Sequence, residues 1–258
     1  MRFDPNGAVA VVTGASSGIG RCLCERLCDA GASVVAVARR SDRLAELSNR
    51  SAPGSITPVV GDVTFPKVRQ QILDVANQIR GGEVDLLINN AGIGAIGAFA
   101  DASPERLRQV MEVNFFAPAE LTRILIPSLG RGRAPVICNI SSVLGHRAVA
   151  NKSEYCASKF AMHGWSDSLR AELAPDGIQV TLVSPSTTKS EFFDSLVHTS
   201  PDQSSASIGS WSPDRVARAA LAAIIARRSE VILSLGGKAL VYADRLSPPL
   251  MNRILRRR

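Results

Sequence analysis

Tyr155 and Lys159, in the stretch Tyr155-Cys156-Ala157-Ser158-Lys159, stand one helical turn apart and would share a face of a helix. A phenol that titrates near 10 is a poor acid–base at neutrality, whereas a cation beside it favours the phenolate. At roughly 5 Å and an effective dielectric of ~20, the attraction is about 3 kcal/mol, on the order of two pH units in the phenol's titration. Such pairs also decorate helix surfaces. The weight of this one rests on what the rest of the chain brings to it.

A second segment suits phosphate. Thr13-Gly14-Ala15-Ser16-Ser17-Gly18-Ile19-Gly20 follows the apolar run 8–12 and precedes a helical pattern carried by Leu23, Leu27 and Ala30. Glycines allow a sharp turn and close backbone approach, and the amides of Gly14, Ser16, Ser17, Gly18, Ile19 and Gly20 would face an anion at a helix N-terminus. The spacing G-x3-G-x-G is not the G-x-G-x-x-G fingerprint, nor does a Gly-Lys-Ser/Thr follow as in a Walker loop. The next apolar run ends Val37-Ala38-Arg39-Arg40. Ala38 offers no carboxylate to a ribose 2′-hydroxyl, while Arg39 and Arg40 supply guanidinium forks for a 2′-phosphate. The expected dinucleotide is NADP(H), with NAD(H) as the alternative. Both arginines could instead be solvated or pair with Asp42. Asp62, followed by Val63, is placed to meet an adenine amino group or to serve as an ordinary turn aspartate.

Elements that could hold these groups are legible along the chain. Apolar runs at 8–12, 33–38, 56–60, 84–89, 135–140, 178–184 and 231–235 alternate with helical patterns, two of which open on Ser103-Pro104-Glu105 and Ser212-Pro213-Asp214. Several runs are apolar on both faces, as strands covered by helices on both sides must be. The expected fold is a single α/β domain over 1–258, a Rossmann-type doubly wound parallel sheet of about seven strands. The long stretch 186–212 follows a strand's C-terminal end and is expected to be a lid or substrate loop.

The motifs combine into a pattern that resembles the short-chain dehydrogenase/reductase superfamily. Those motifs are Thr13-x3-Gly18-x-Gly20, Asn89-Asn90-Ala91-Gly92, Asn114, Ser142 thirteen residues before Tyr155, and Tyr155-x3-Lys159. The resemblance spans almost the whole chain. Through Tyr155-Cys156-Ala157-Ser158-Lys159-Phe160-Ala161 it points to the branch of 11β-hydroxysteroid dehydrogenase-like and dehydrogenase/reductase member 7-like enzymes. It implies an NADP-dependent oxidoreductase that interconverts a carbonyl and an alcohol. Tyr155 would be the general acid/base, Lys159 would hold the nicotinamide ribose and lower the tyrosine pKa, and Ser142 would bond the reacting oxygen. Asn114 would hold a relay water, and Asn90, Ala91 and Gly92 would lie along the cofactor. Two departures stand out. Ser186 follows Pro185 where the family has glycine, with Thr188 and Ser190 left to meet the carboxamide. Ser17 replaces the Lys or Arg of many NADP-preferring members, which leaves the phosphate to Arg39 and Arg40.

Apolar residues beyond these motifs suggest an apolar small-molecule substrate: Ile93, Val143, Leu144, and Phe192, Phe193 and Trp211 of the lid. His146 and Arg147 would read a polar end or, as the preferred reading, lie on a solvated loop face; His163 is expected to be structural. Composition adds limits. The chain has 258 residues, 45% hydrophobic, with 30 basic against 23 acidic side chains. It is too apolar for disorder, and no aromatic–basic module supports nucleic acid as a partner. Without Arg253, Arg256, Arg257 and Arg258 the balance is 26 against 23, so over half the excess is one basic segment, 248–258. Its apolar stripe is expected to dock on protein, with peripheral membrane contact as the rival. Five cysteines, three of them Cys22, Cys24 and Cys28, read as thiols of a reduced, cytoplasmic protein; Cys24 and Cys28 share the buried face, and no metal is expected. A homodimer or homotetramer is expected. The competing function is a catalytically idle NADP(H) sensor, which would not need the Asn114, Ser142, Tyr155 and Lys159 set.

Overall fold

Strands that must bury both faces need a layer of helices on each side, and alternation of side chains sorts the first strand, β1 (Val9–Thr13), into two cores. Ala10 and Val12 join one cluster with Leu23 and Leu27 of α1 (Gly18–Asp29), Leu44 and Leu47 of α2 (Ser41–Ser48), and Val216 and Ile224 of α7 (Pro213–Ile225). Val9 and Val11 join the other with Ile72 of α3 (Pro66–Asn77), Leu121 and Leu125 of α5 (Ala117–Leu129), and Leu169 of α6 (Ser153–Leu173). The computed structural model describes residues 2–188, 191, 196–197 and 210–255.

The remaining strands are β2 (Ser33–Ala38), β3 (Ser55–Val60), β4 (Leu86–Asn89), β5 (Val136–Ile140), β6 (Gln179–Ser184) and β7 (Glu230–Ile232). All pairs are parallel, in the order β3-β2-β1-β4-β5-β6-β7. The seven-stranded Rossmann-type expectation therefore holds. The order reverses between β1 and β4, where such sheets open a crevice at their C-terminal edge. Both chemical segments of the sequence lie on that edge.

Local signals fared unevenly. Both Ser-Pro pairs open helices, α4 (Pro104–Met111) and α7, but only Ser212 caps with its side chain, accepting from the Arg215 amide at 3.2 Å. The run 231–235 is too long for the strand it predicts. Ser234 turns at φ +68° and accepts the Gly237 amide, so Leu235 opens α8 (Leu235–Leu246) instead. Cys24 and Cys28 are buried in the first core, and Cys22 is half-buried; all five thiols are free. The terminal helix α9 (Pro248–Leu255) docks on the chain itself through buried Met251 and an Arg147–Asn252 hydrogen bond of 2.7 Å, leaving Leu250 and Ile254 exposed. Among the described residues no helix is long and apolar enough to cross a membrane.

One buried ion pair fixes the start of α6. Arg106 of α4 and Glu154 are 3% and 1% exposed, with Nη2 2.6 Å from Oε1, and Ser153 Oγ donates to the other carboxylate oxygen at 2.9 Å. Removing one partner leaves a charge in the interior without its counter-ion. Arg106→Ala should cost about 3–5 kcal/mol in denaturant unfolding, and Arg106→Met with Glu154→Leu should cost clearly less.

Candidate active site

A tight backbone clamp builds the first wall of the crevice. Asn90, just past β4, donates from Nδ2 to the carbonyls of Thr13 (2.9 Å) and Gly14 (3.3 Å). The amides of Asn90 and Ala91 both donate to Thr13 Oγ1 at 3.0 Å. Gly14 turns at φ +68°, a left-handed conformation that glycine adopts without cost. A Cβ on Gly20 would lie 2.3 Å from the Gly14 carbonyl oxygen and 2.5 Å from Asn90 Nδ2, so α1 can approach the turn only with glycine there. The N-terminus of α1 is thus held against the crevice, with Ser17 at its cap.

A π-helical turn, 112–116, joins α4 to α5 and swings Asn114 inward. Its fully buried carboxamide accepts the Ile93 amide at 2.8 Å and donates to the Ile93 carbonyl (3.0 Å) and Ser158 Oγ (2.9 Å). Ser158 in turn donates to the Tyr155 carbonyl at 2.7 Å. The loop after β4 is therefore bolted to α6 beside Tyr155.

On α6, Lys159 Nζ donates to the Ile140 carbonyl at the end of β5 (3.0 Å) and lies 5.7 Å from the Tyr155 ring centre. Burial pushes the ammonium down to about 8. Burial also pushes the Tyr155 phenol up to about 12, against the pull of a hydrogen bond with Ser142. Burial therefore sets the direction of the phenol's shift here, while the ammonium donates to a backbone carbonyl. Ser142 is fixed by its own turn, since its Oγ accepts the Leu144 amide at 3.1 Å, whereas neighbouring Ser141 is buried with its hydroxyl unpartnered.

A cavity of ≈ 1130 Å³ joins these walls. It runs from Arg39, Arg40, Asp62 and Val63, past Gly14, Ser16, Ser17, Gly18, Ile19, Asn90, Ala91 and Gly92, to Ser142, Tyr155, Lys159, Pro185 and Thr188. Ile93, Val143 and Leu144 line its inner end, with Val149, Leu196 and Leu240 beside them. That volume exceeds the ~300–1,000 Å³ of an ordinary small-molecule site. The glycine turn, the exposed helix N-terminus and the cavity's length fit an extended dinucleotide with space for a second molecule.

Several expected residues stand elsewhere. Gly20 and Asn114 support the walls without lining the cavity. Trp211 is also displaced: a bridge to Thr188 and its amide bond to the Thr187 carbonyl (3.1 Å) turn it onto the first core, with the Arg215 guanidinium 3.9 Å over its ring. Ser190, Phe192 and Phe193, and most of the stretch 186–212, lie outside the described residues. His146 and Arg147 are not on a solvated face. The His146 side chain is 3% exposed beside Ser184 and Glu230, and Arg147 pairs with Asp244 at 2.8 Å. Neither arginine after β2 takes Asp42. Arg40 donates to Ser16 Oγ (3.0 Å) and Glu191 (2.8 Å), and Arg39 is 69% exposed, 3.9 Å from Asp62. Asp62 itself makes a turn with Thr64 (2.8 Å).

Some contributors were not singled out from the sequence. Arg43 and Glu191 flank the arginine end, and Gly236 and Leu240 of α8 reach the inner end. Arg43, in the first turn of α2, follows Arg39 and Arg40 closely in sequence; the others depend on how distant segments fold back.

A family model described as short chain dehydrogenase matches residues 8–201. Dehydrogenase/reductase SDR family member 7B of Bos taurus is 36% identical over 269 residues, covering 99% of this chain and 82% of that protein. Ketoacyl reductase HetN of Nostoc sp. is 31% identical over 258 residues, covering 97% and 88%. Among solved structures, a short chain dehydrogenase/reductase from Burkholderia phymatum in complex with NAD aligns with a TM-score of 0.86 at 27% identity, covering 96% of each chain. One from Burkholderia cenocepacia in complex with NADP aligns at 0.83 and 27%, covering 98% of this chain and 99% of that one. Together with the Tyr155/Lys159 helix and the glycine turn on one crevice, these likenesses establish that the chain belongs to the short chain dehydrogenase family of oxidoreductases, on a branch that includes member 7B.

Proposed function

We propose that this protein is an NADP(H)-dependent oxidoreductase that interconverts an apolar ketone or aldehyde with its alcohol. The observation that carries the reading is the meeting of Ser142, Tyr155 and Lys159 at the inner end of a cavity whose outer end is the glycine turn with Arg39 and Arg40. Related structures hold NAD in one case and NADP in another, so likeness does not choose between them. The choice rests on charge. Ala38 offers no acid at the end of β2, and Arg39, Arg40 and Arg43 gather at the outer end, with Glu191 and Asp62 as the opposing acids.

A bound nicotinamide would supply or accept the hydride. The chain supplies the proton and the positions. Tyr155 Oη gives its proton to a carbonyl oxygen, or takes one from an alcohol, with the Ser142 hydroxyl beside it. Asn114 is a positioning residue in this scheme. Its carboxamide is committed to Ile93 and Ser158, so a relay water toward Lys159 has only the second lone pair of Oδ1 to use. Ile93, Ala95, Ile96, Val143, Leu144 and Leu240 make the substrate end apolar. The idle-sensor alternative gains nothing from the structure, because a sensor has no use for a phenol bonded to a serine at the inner end. Self-association belongs to the same proposal, and exposed Leu107, Phe116 and Phe160 on α4, the π-turn and α6 are its natural contacts.

Tyr155→Phe should lower turnover by about 10²–10⁴ or more while NADPH affinity stays within a few-fold; retained turnover would remove the acid/base assignment. The Arg39→Ala, Arg40→Ala double variant should weaken NADPH far more than NADH in a binding titration, and equal losses would remove the phosphate argument. Lys159 keeps its charge below about 8 and loses it as pH rises through that value. Hence kcat/KM for NADPH, profiled over roughly pH 6–10, should fall on the alkaline side near 8, well before the phenol titrates.

A further inference from the structure

Three separated elements bring two imidazoles and a carboxylate to one point outside the cavity. His146 follows the turn after Ser142, His163 lies on α6 one turn beyond Lys159, and Glu230 opens β7. Glu230 Oε1 is 3.2 Å from His146 Nε2 and 3.4 Å from His163 Nε2, and the two ring centres lie 4.5 Å apart with their planes tilted by 59°. These side chains can present three ligand atoms within 4.8 Å of one another. None of the three lines the cavity.

We propose that His146 Nε2, His163 Nε2 and Glu230 Oε1 form a binding site for a divalent transition-metal ion, of which zinc is the type. Tetrahedral zinc with bonds of ~2.0–2.1 Å holds its ligand atoms about 3.3–3.4 Å apart, and the two Glu230–imidazole separations lie within about 0.2 Å of that. Glu230 Oε1 is buried, and the polar groups that face it are the two imidazole nitrogens at 3.2 and 3.4 Å. An N2O donor set suits zinc and its neighbours rather than magnesium or calcium. A water completes the shell, and Ser184 Oγ, 3.0 Å from His146 Nε2, gives up that hydrogen bond when the nitrogen binds the ion. Arg245 of α8 is the opposing charge, 3.9 Å from Glu230 Oε2 and 3.5 Å from His146 Nδ1. It is half-exposed on these long contacts, so it swings outward as the cation enters, which leaves His146 Nδ1 free to carry the ring proton. The ion would staple β7 to α6 and to the turn that carries Ser142.

Zinc chloride titrated into the metal-free full chain tests this. The expected result is one saturable equivalent and a rise in Tm, with the 15N resonances of two of the chain's three histidines, His146 and His163, shifting while His198 stays fixed. His163→Gln and Glu230→Gln, each checked for folding by circular dichroism, should weaken zinc at least about tenfold. Absence of saturable binding overturns the proposal. So does zinc that binds without moving those two resonances, as at a cysteine site, or that binds the folded variants as tightly as the parent. The histidine spectra need no variant, so a substitution that fails to fold does not remove the test.

Discussion

Backbone groups at the C-terminal ends of parallel strands have run out of ladder partners, and buried amides cannot be left without them. At the seam between β1 and β4, Thr13 and Asn90 solve this for each other. The threonine hydroxyl takes two amides from the Asn90 loop, and the asparagine carboxamide takes two carbonyls from the glycine turn. The turn's left-handed glycine and the absence of a side chain at Gly20 follow from that exchange, because the clamp leaves no space for a Cβ. The approach of α1 to the crevice depends on the same contacts.

From this seam the constraint passes deeper into the molecule. Gly92 sits where a Cβ would lie 3.2 Å from Asn114 Oδ1 and 3.7 Å from Lys159 Nζ. Asn114 carries the position of the loop to Ser158, and Ser158 carries it to the Tyr155 carbonyl. The reacting end of the cavity is therefore registered to the anion-binding end through polar side chains that are themselves buried. A half-satisfied network of this kind would be costly; Thr13, Asn90, Asn114 and Ser158 leave no buried polar side-chain atom without a partner, although Asn89 Oδ1 and Ser141 Oγ at the neighbouring strand ends have none.

The fold was legible because its signals are local. Apolar runs of strand length, glycine placement and Ser-Pro starts each report on a few neighbouring residues, and they gave the sheet with small errors at the ends. At the site, the Tyr155/Lys159 pair and the glycine turn were legible because their chemistry depends on short spacings, whereas Ser142, thirteen residues before Tyr155, was legible only through the resemblance of the combined pattern. What escaped was set by distance in sequence. Trp211 turns away because a bridge to Thr188 holds it, and His146 is buried because β7 and α8 fold over it. The surroundings of the phenol are hidden for a related reason. Spacing reveals that a lysine is near but says nothing of the carbonyl that claims it, nor of how dry the surroundings are.

The Arg40–Glu191 pair has one more consequence. Both side chains are nearly half-exposed, so their attachment is worth no more than about 1 kcal/mol. A phosphate arriving at this end of the cavity would therefore meet a guanidinium already aimed by Ser16, with only a weakly held carboxylate to displace.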